Sequence, residues 1–142
     1  MIEAFFANPH SVLGAILLAS FAGFVAWRNN HASRVAVASA AFRTAFNDAL
    51  LRLTASREAT SIIIFQSHNN HLAAIFAFRP YVAWYRRRSF ERAAEEYSLQ
   101  ANIQKAKGPL EALVLDFTPE AQEQRAALLK SVQQLLTYAA VT

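Results

Sequence analysis

Residues 9–27 read PHSVLGAILLASFAGFVAW, and Arg28 closes this apolar run. No Asp, Glu, Lys or Arg occurs from Ala4 through Trp27. A helix over these nineteen residues is roughly 28 Å long at about 1.5 Å per residue, which nearly matches the bilayer hydrocarbon core of about 30 Å. The stretch therefore predicts a membrane anchor that starts at Pro9 and places Trp27 at the headgroup level.

Two other interpretations of this stretch remain open. A cleaved signal peptide normally begins with a basic region, whereas here only Glu3 is charged before the run. Ala38-Ser39-Ala40 resembles a cleavage site but lies far beyond the apolar centre, after Arg28 and Arg34. A core helix of a soluble bundle would need neighbours on every face, which few small domains supply. The membrane anchor is the favoured prediction.

Positive charge is concentrated after the apolar run. Through Arg92 there are ten arginines and no lysines against four acids, a formal balance of +6, and the rest of the chain balances at −2. The positive-inside rule then predicts an outer N-terminus and a cytoplasmic C-terminal part, in a bacterial-type inner membrane or plasma membrane. The basic juxtamembrane region suits anionic lipid headgroups, and an ordinary solvated basic helix is the alternative.

Composition and periodicity favour helices throughout. The chain has 142 residues and only three glycines. It has no cysteine, and this absence excludes disulfides and thiolate chemistry. Neither glycine nor proline interrupts the sequence from Trp27 to Phe78. We predict an all-α fold with one N-terminal transmembrane helix that continues into a small antiparallel helical bundle. Residues 1–27 form the short N-terminus and anchor, and residues 28–142 form the cytoplasmic bundle.

Local signals predict where the helices begin and end. The apolar period lapses at 54–61, so a bend is expected there, and Pro80 should end or kink the following helix. Ser89 is a candidate cap for the third helix. A short apolar helix is expected at 110–117, and Thr118-Pro119-Glu120 is the clearest helix start in the chain.

Small residues along one side of the anchor predict a helix-association face. Small side chains let another helix approach closely, and van der Waals contact drives association in lipid. A monomeric anchor in which alanine is merely common is the alternative. The predicted face comprises Ala15, Ala19, Ala22, Gly23 and Ala26.

His68 and His71 are the only clustered imidazoles. Their i, i+3 spacing places both on one helical face, where they could share a metal ion or provide a haem ligand. A metal would need further ligands, and the chain has no Glu-x-x-His pair. A structural, hydrogen-bonding role is the favoured interpretation, so no cofactor is predicted and the metal or haem site is the minor alternative.

Arginines alternate with aromatic residues after Pro80. Such a patch suits lipid headgroups, an acidic protein partner or, less well, single-stranded nucleic acid. Internal pairing with Glu91, Glu95 and Glu96 is a further alternative. The patch comprises Arg79, Tyr81, Trp84, Tyr85, Arg86, Arg87 and Arg88.

No motif for catalysis or phosphate binding occurs, so no catalytic residue is predicted. We expect a single-pass, membrane-anchored scaffold, adaptor or accessory subunit of a membrane complex. Its expected partners are membrane lipid and either a membrane protein or a second copy bound through the anchor. The alternative function is a membrane-tethered metal- or haem-binding protein that uses the His68–His71 pair.

Overall fold

The computed structural model describes residues 9–107 and 118–140. These residues form four α-helices and no strand, which confirms the predicted all-α class. The predicted helix at 110–117 lies outside the described residues. The helices are α1 (Pro9–Ala55), α2 (Thr60–Phe78), α3 (Arg87–Ala106) and α4 (Pro119–Ala139), and two short 3-10 turns, Arg79–Tyr81 and Trp84–Arg86, connect α2 to α3.

The chain divides into two compact units, Met1–Ala36 and Val37–Thr142. The described part of the first unit belongs entirely to α1. Its side chains from position 12 onward are exposed or half-buried. The second unit contains the rest of α1 and the other three helices, and it holds all of the hydrophobic core.

The second unit is an antiparallel four-helix bundle. Phe42, near the start of the α1 portion, stacks on Phe78 at the end of α2, with 4.7 Å between ring centroids. Phe90 in the first turn of α3 packs against Tyr138 in the last turn of α4, at 5.4 Å. The start of one helix therefore lies beside the end of the next, as short connections require.

The core consists of the apolar face of each helix. A spacing of three or four residues places these side chains on one side of a helix, and that side faces the bundle axis. Each helix of the second unit therefore buries one apolar face. Buried core residues include Phe42, Phe46, Ala49 and Leu53 on α1, Ile63, Ile64 and Ile75 on α2, Phe90, Ala93 and Tyr97 on α3, and Leu128, Val132, Leu135 and Ala139 on α4.

Most of the predicted helix ends are confirmed. The bend lies between Ala55 and Thr60, and α2 ends just before the turn that contains Pro80. The hydroxyl of Thr118 accepts a hydrogen bond from the backbone N–H of Ala121 at 3.3 Å, so it caps α4 as expected.

The predicted cap at Ser89 is wrong. Helix α3 already begins at Arg87, and the preceding 3-10 turn leads directly into it. Ser89 is therefore inside the first turn, where its hydroxyl donates to the carbonyl of Arg86 at 2.8 Å. Arginine is a good helix former, so Arg87 and Arg88 adopt helical geometry and the helix begins two residues before Ser89, without a capping side chain.

Candidate functional site

The first candidate site is the apolar part of α1. This is the one helix in the described residues that is long and apolar enough to cross a membrane, and none of its apolar window is buried. Leu18 is 71% exposed and Phe21 is 67% exposed. Each such side chain gains roughly 1.5–3 kcal/mol on leaving water, so a surface of this kind favours an apolar environment.

The small-residue face remains a prediction. Ala15, Ala19, Ala22, Gly23 and Ala26 are all exposed, as the hypothesis requires. A Cβ added at Gly23 would meet no atom within 4 Å. A larger side chain at Gly23 is therefore accommodated by this chain itself, which makes the position a clean probe of contact with a second helix.

The second candidate site lies at the centre of the bundle, where His71 meets Tyr97. His71 Nδ1 and the Tyr97 hydroxyl are 2.5 Å apart, and both residues are fully buried. The ring of Phe46 stacks on the imidazole with 4.2 Å between centroids. Helices α1, α2 and α3 thus each supply one aromatic ring to this cluster.

Burial sets the protonation of this pair. It lowers the pKa of His71 from 6.5 to about 4, and His68 adds a small effect in the same direction. A hydrogen bond to the backbone of Ala45 and the charge of Asp48 act in the opposite direction, but burial outweighs them. Burial also raises the pKa of Tyr97 well above its ordinary value. At neutral pH both groups are therefore uncharged, and the hydrogen bond joins a neutral imidazole to a protonated tyrosine hydroxyl.

His68 lies on the same side of α2 and is also buried. Burial lowers its pKa, and Lys105 lowers it further. His68 Nδ1 and His71 Nε2 have no hydrogen-bond partner of normal geometry. Within the described ranges, no group of three or more His, Cys, Asp or Glu side chains is placed to hold a metal ion. The pair by itself therefore offers at most two imidazole ligands.

The third candidate site is the arginine–aromatic patch, and two of its arginines have partners inside the bundle. Arg79 forms an ion pair with Glu91, with Nη2 and Oε1 2.5 Å apart. The guanidinium of Arg86 lies 4.7 Å from the centre of the Tyr138 ring, a cation–π contact. These contacts join the connection between α2 and α3 to helices α3 and α4.

The remaining members of the patch are open. Trp84 is 83% exposed and Tyr85 is 70% exposed, with the two rings edge to face at 6.0 Å. Tyr81 is only marginally exposed. Arg87 and Arg88 are exposed, and neither forms an ion pair within the part of the chain that the structure describes.

Arg125 has a structural role that the sequence patterns did not indicate. Its guanidinium donates to four backbone carbonyls, those of Arg52, Leu53, Ser56 and Glu58, over 2.7–2.9 Å. The last carbonyls of a helix have no hydrogen-bond donor within the helix. The Arg125 side chain supplies donors to carbonyls at the end of α1 and in the turn that follows it. The sequence did indicate that Arg125 has no ion-pair partner on its own helix, because no acid lies three or four residues away on either side.

The charge, burial and packing of these three sites point to an apolar helix joined to a structural bundle with one open cationic and aromatic surface. Comparison with protein-family models, with curated proteins and with solved structures found no significant match.

Proposed function

We propose that this protein is a membrane-anchored, non-catalytic scaffold, adaptor or accessory subunit of a membrane complex. One observation carries the proposal: every residue of α1 from Ala15 to Trp27 is exposed, on all faces of the helix. A helix that is apolar all round needs lipid or protein on each side. The bundle is consistent with this role, because its His71–Tyr97 pair is enclosed in the core and not open to a substrate.

Topology is tested with cysteine reporters, which the chain permits because it has no native cysteine. Glu3→Cys is expected to react with a membrane-impermeant maleimide on intact cells, since no basic residue precedes the anchor. Asn102→Cys, exposed on α3, is expected to react only after lysis. The cysteine-free chain is the control. Recovery of the protein in the soluble fraction without detergent would contradict the proposal.

The small-residue face of the anchor is the proposed contact with a membrane partner or a second copy. The double variant Ala19→Leu/Gly23→Leu is expected to weaken association roughly tenfold, about 1.4 kcal/mol, in a membrane dimerisation assay or a pull-down in mild detergent. Leu17→Phe, on the other side of the helix, is the matched control and should leave association unchanged. Equal association of both variants with the parent chain would remove this face from the proposal.

A further inference from the structure

The connection between α2 and α3 lies at the end of the bundle where Val37 begins the second unit. Phe78 and Phe90, which flank the connection, lie 4.7 and 6.2 Å from Phe42, measured between ring centroids. Phe42 is only five residues after Val37, where the second unit begins. A rise of about 1.5 Å per residue places Phe42 about 8 Å along the helix from that entry point.

The last turn of α4 lies at the same end of the bundle. Arg43 donates a hydrogen bond to the carbonyl of Ala139, so the C-terminal end of α4 also lies beside the start of the α1 portion. Tyr138, one residue earlier, holds the guanidinium of Arg86. The entry point, the α2–α3 connection and the end of α4 therefore share one end of the bundle.

The charge on this connection and on the first residues of α3 is of one sign. No acid occurs between Glu58 and Glu91, whereas Arg79, Arg86, Arg87 and Arg88 all lie in that interval. Glu91 is already paired with Arg79. The positive charge of Arg87 and Arg88 is therefore not compensated by an ion pair in the described residues, and it adjoins the exposed rings of Trp84 and Tyr85.

We propose that Trp84, Tyr85, Arg87 and Arg88 form a docking surface for anionic lipid headgroups. The inference rests on the proposed anchoring of α1, because α1 continues from the proposed anchor into this end of the bundle. Tryptophan and tyrosine prefer the interface between hydrocarbon and water, and arginine is attracted to anionic lipid. The bundle end is thereby held against the membrane by a second, reversible contact that depends on lipid charge.

The test uses the full chain with Trp27→Phe, which leaves Trp84 as the only tryptophan. It is reconstituted into bilayers of phosphatidylcholine alone or mixed with phosphatidylglycerol. In the anionic bilayers we expect a blue-shifted emission, protection from aqueous acrylamide and quenching by brominated lipid. In neutral bilayers Trp84 should stay accessible to acrylamide.

Charge reversal identifies the groups responsible. Arg87→Glu/Arg88→Glu is expected to lower the ratio of docked to undocked Trp84 by roughly tenfold or more in anionic bilayers. Lys105→Glu/Lys130→Glu makes the same change in net charge at exposed positions elsewhere on the bundle and should leave docking unchanged. Equal acrylamide access in both lipid mixtures would overturn the inference, as would shielding of Trp84 without quenching by brominated lipid, the result expected for a protein partner.

A companion chain with Trp84→Phe keeps Trp27 and reports on the anchor alone. Quenching of Trp27 by brominated lipid, together with a water-accessible Trp84, would overturn lipid docking while supporting the anchor. Absence of Trp27 quenching would overturn the proposed anchoring and, with it, this inference.

Discussion

Replacement of Arg125 by alanine is expected to lower the free energy of unfolding of the bundle by about 3 kcal/mol. Each hydrogen bond from a charged donor contributes roughly 1.5–3 kcal/mol, and water can replace part of the four that are lost. The variant leaves the carbonyls of Arg52, Leu53, Ser56 and Glu58 without this donor. A urea titration of the full chain in mild detergent, followed by helical circular dichroism, measures the change.

Two further variants separate the geometry of Arg125 from its charge. Arg125→Lys keeps the charge but replaces the planar fork with one compact ammonium, so less than half of the loss should be recovered. Lys130→Ala removes an exposed cation from the same helix and should change stability by no more than about 0.5 kcal/mol. An Arg125→Ala protein as stable as the Lys130→Ala protein would show that these hydrogen bonds contribute nothing net.

Acidification is expected to destabilise the bundle by about 3 kcal/mol between about pH 7 and pH 4 through His71. Burial lowers the native pKa of His71 from 6.5 to about 4. Above about pH 6.5 the imidazole is neutral in both the native and the unfolded chain, so it does not make the free energy of unfolding depend on pH. As the pH falls toward 4, the unfolded chain binds a proton that the native chain does not, and stability falls. His68 changes in the same direction because its pKa is also lowered.

The pH dependence is measured by urea titrations of the full chain at several pH values, in the same detergent. His71→Gln keeps a hydrogen-bonding group near Tyr97 but does not titrate, so most of the acid loss should disappear. His31→Gln changes an exposed histidine of α1 and should retain the whole loss. The same acid loss in His71→Gln as in the parent chain would show that the effect does not come from His71.

The helices and their buried faces follow from local patterns. Phe42, Phe46 and Leu53 repeat with helical spacing on α1, and the structure buries each of them. Thr118 begins α4 because its hydroxyl, the following proline and an acid in the first turn all favour a helix start. Such signals involve residues within one or two turns, so they are readable without knowledge of the rest of the chain.

The candidate sites depend on residues that are distant in sequence. His71 and Tyr97 are 26 positions apart, and nothing in either local pattern selects the other. The spacing of His68 and His71 did indicate a shared face, but whether that face was open or closed depends on Phe46 and on packing between helices. Likewise, the sequence does not show which arginines of the patch have partners. The structure shows that Arg79 pairs with Glu91 and that Arg86 contacts Tyr138.

The sequence by itself determined that this protein is all-α, that its N-terminal helix is apolar enough to cross a membrane, and that its basic residues follow that helix. Those properties arise from composition and short-range periodicity, which are local. Tertiary structure alone decided that Arg125 closes the end of α1, that His71 is enclosed as a neutral base, and that Trp84 and Arg87 remain open. Each of these depends on which distant backbone or side chain lies within a few ångströms, and only the folded bundle specifies that.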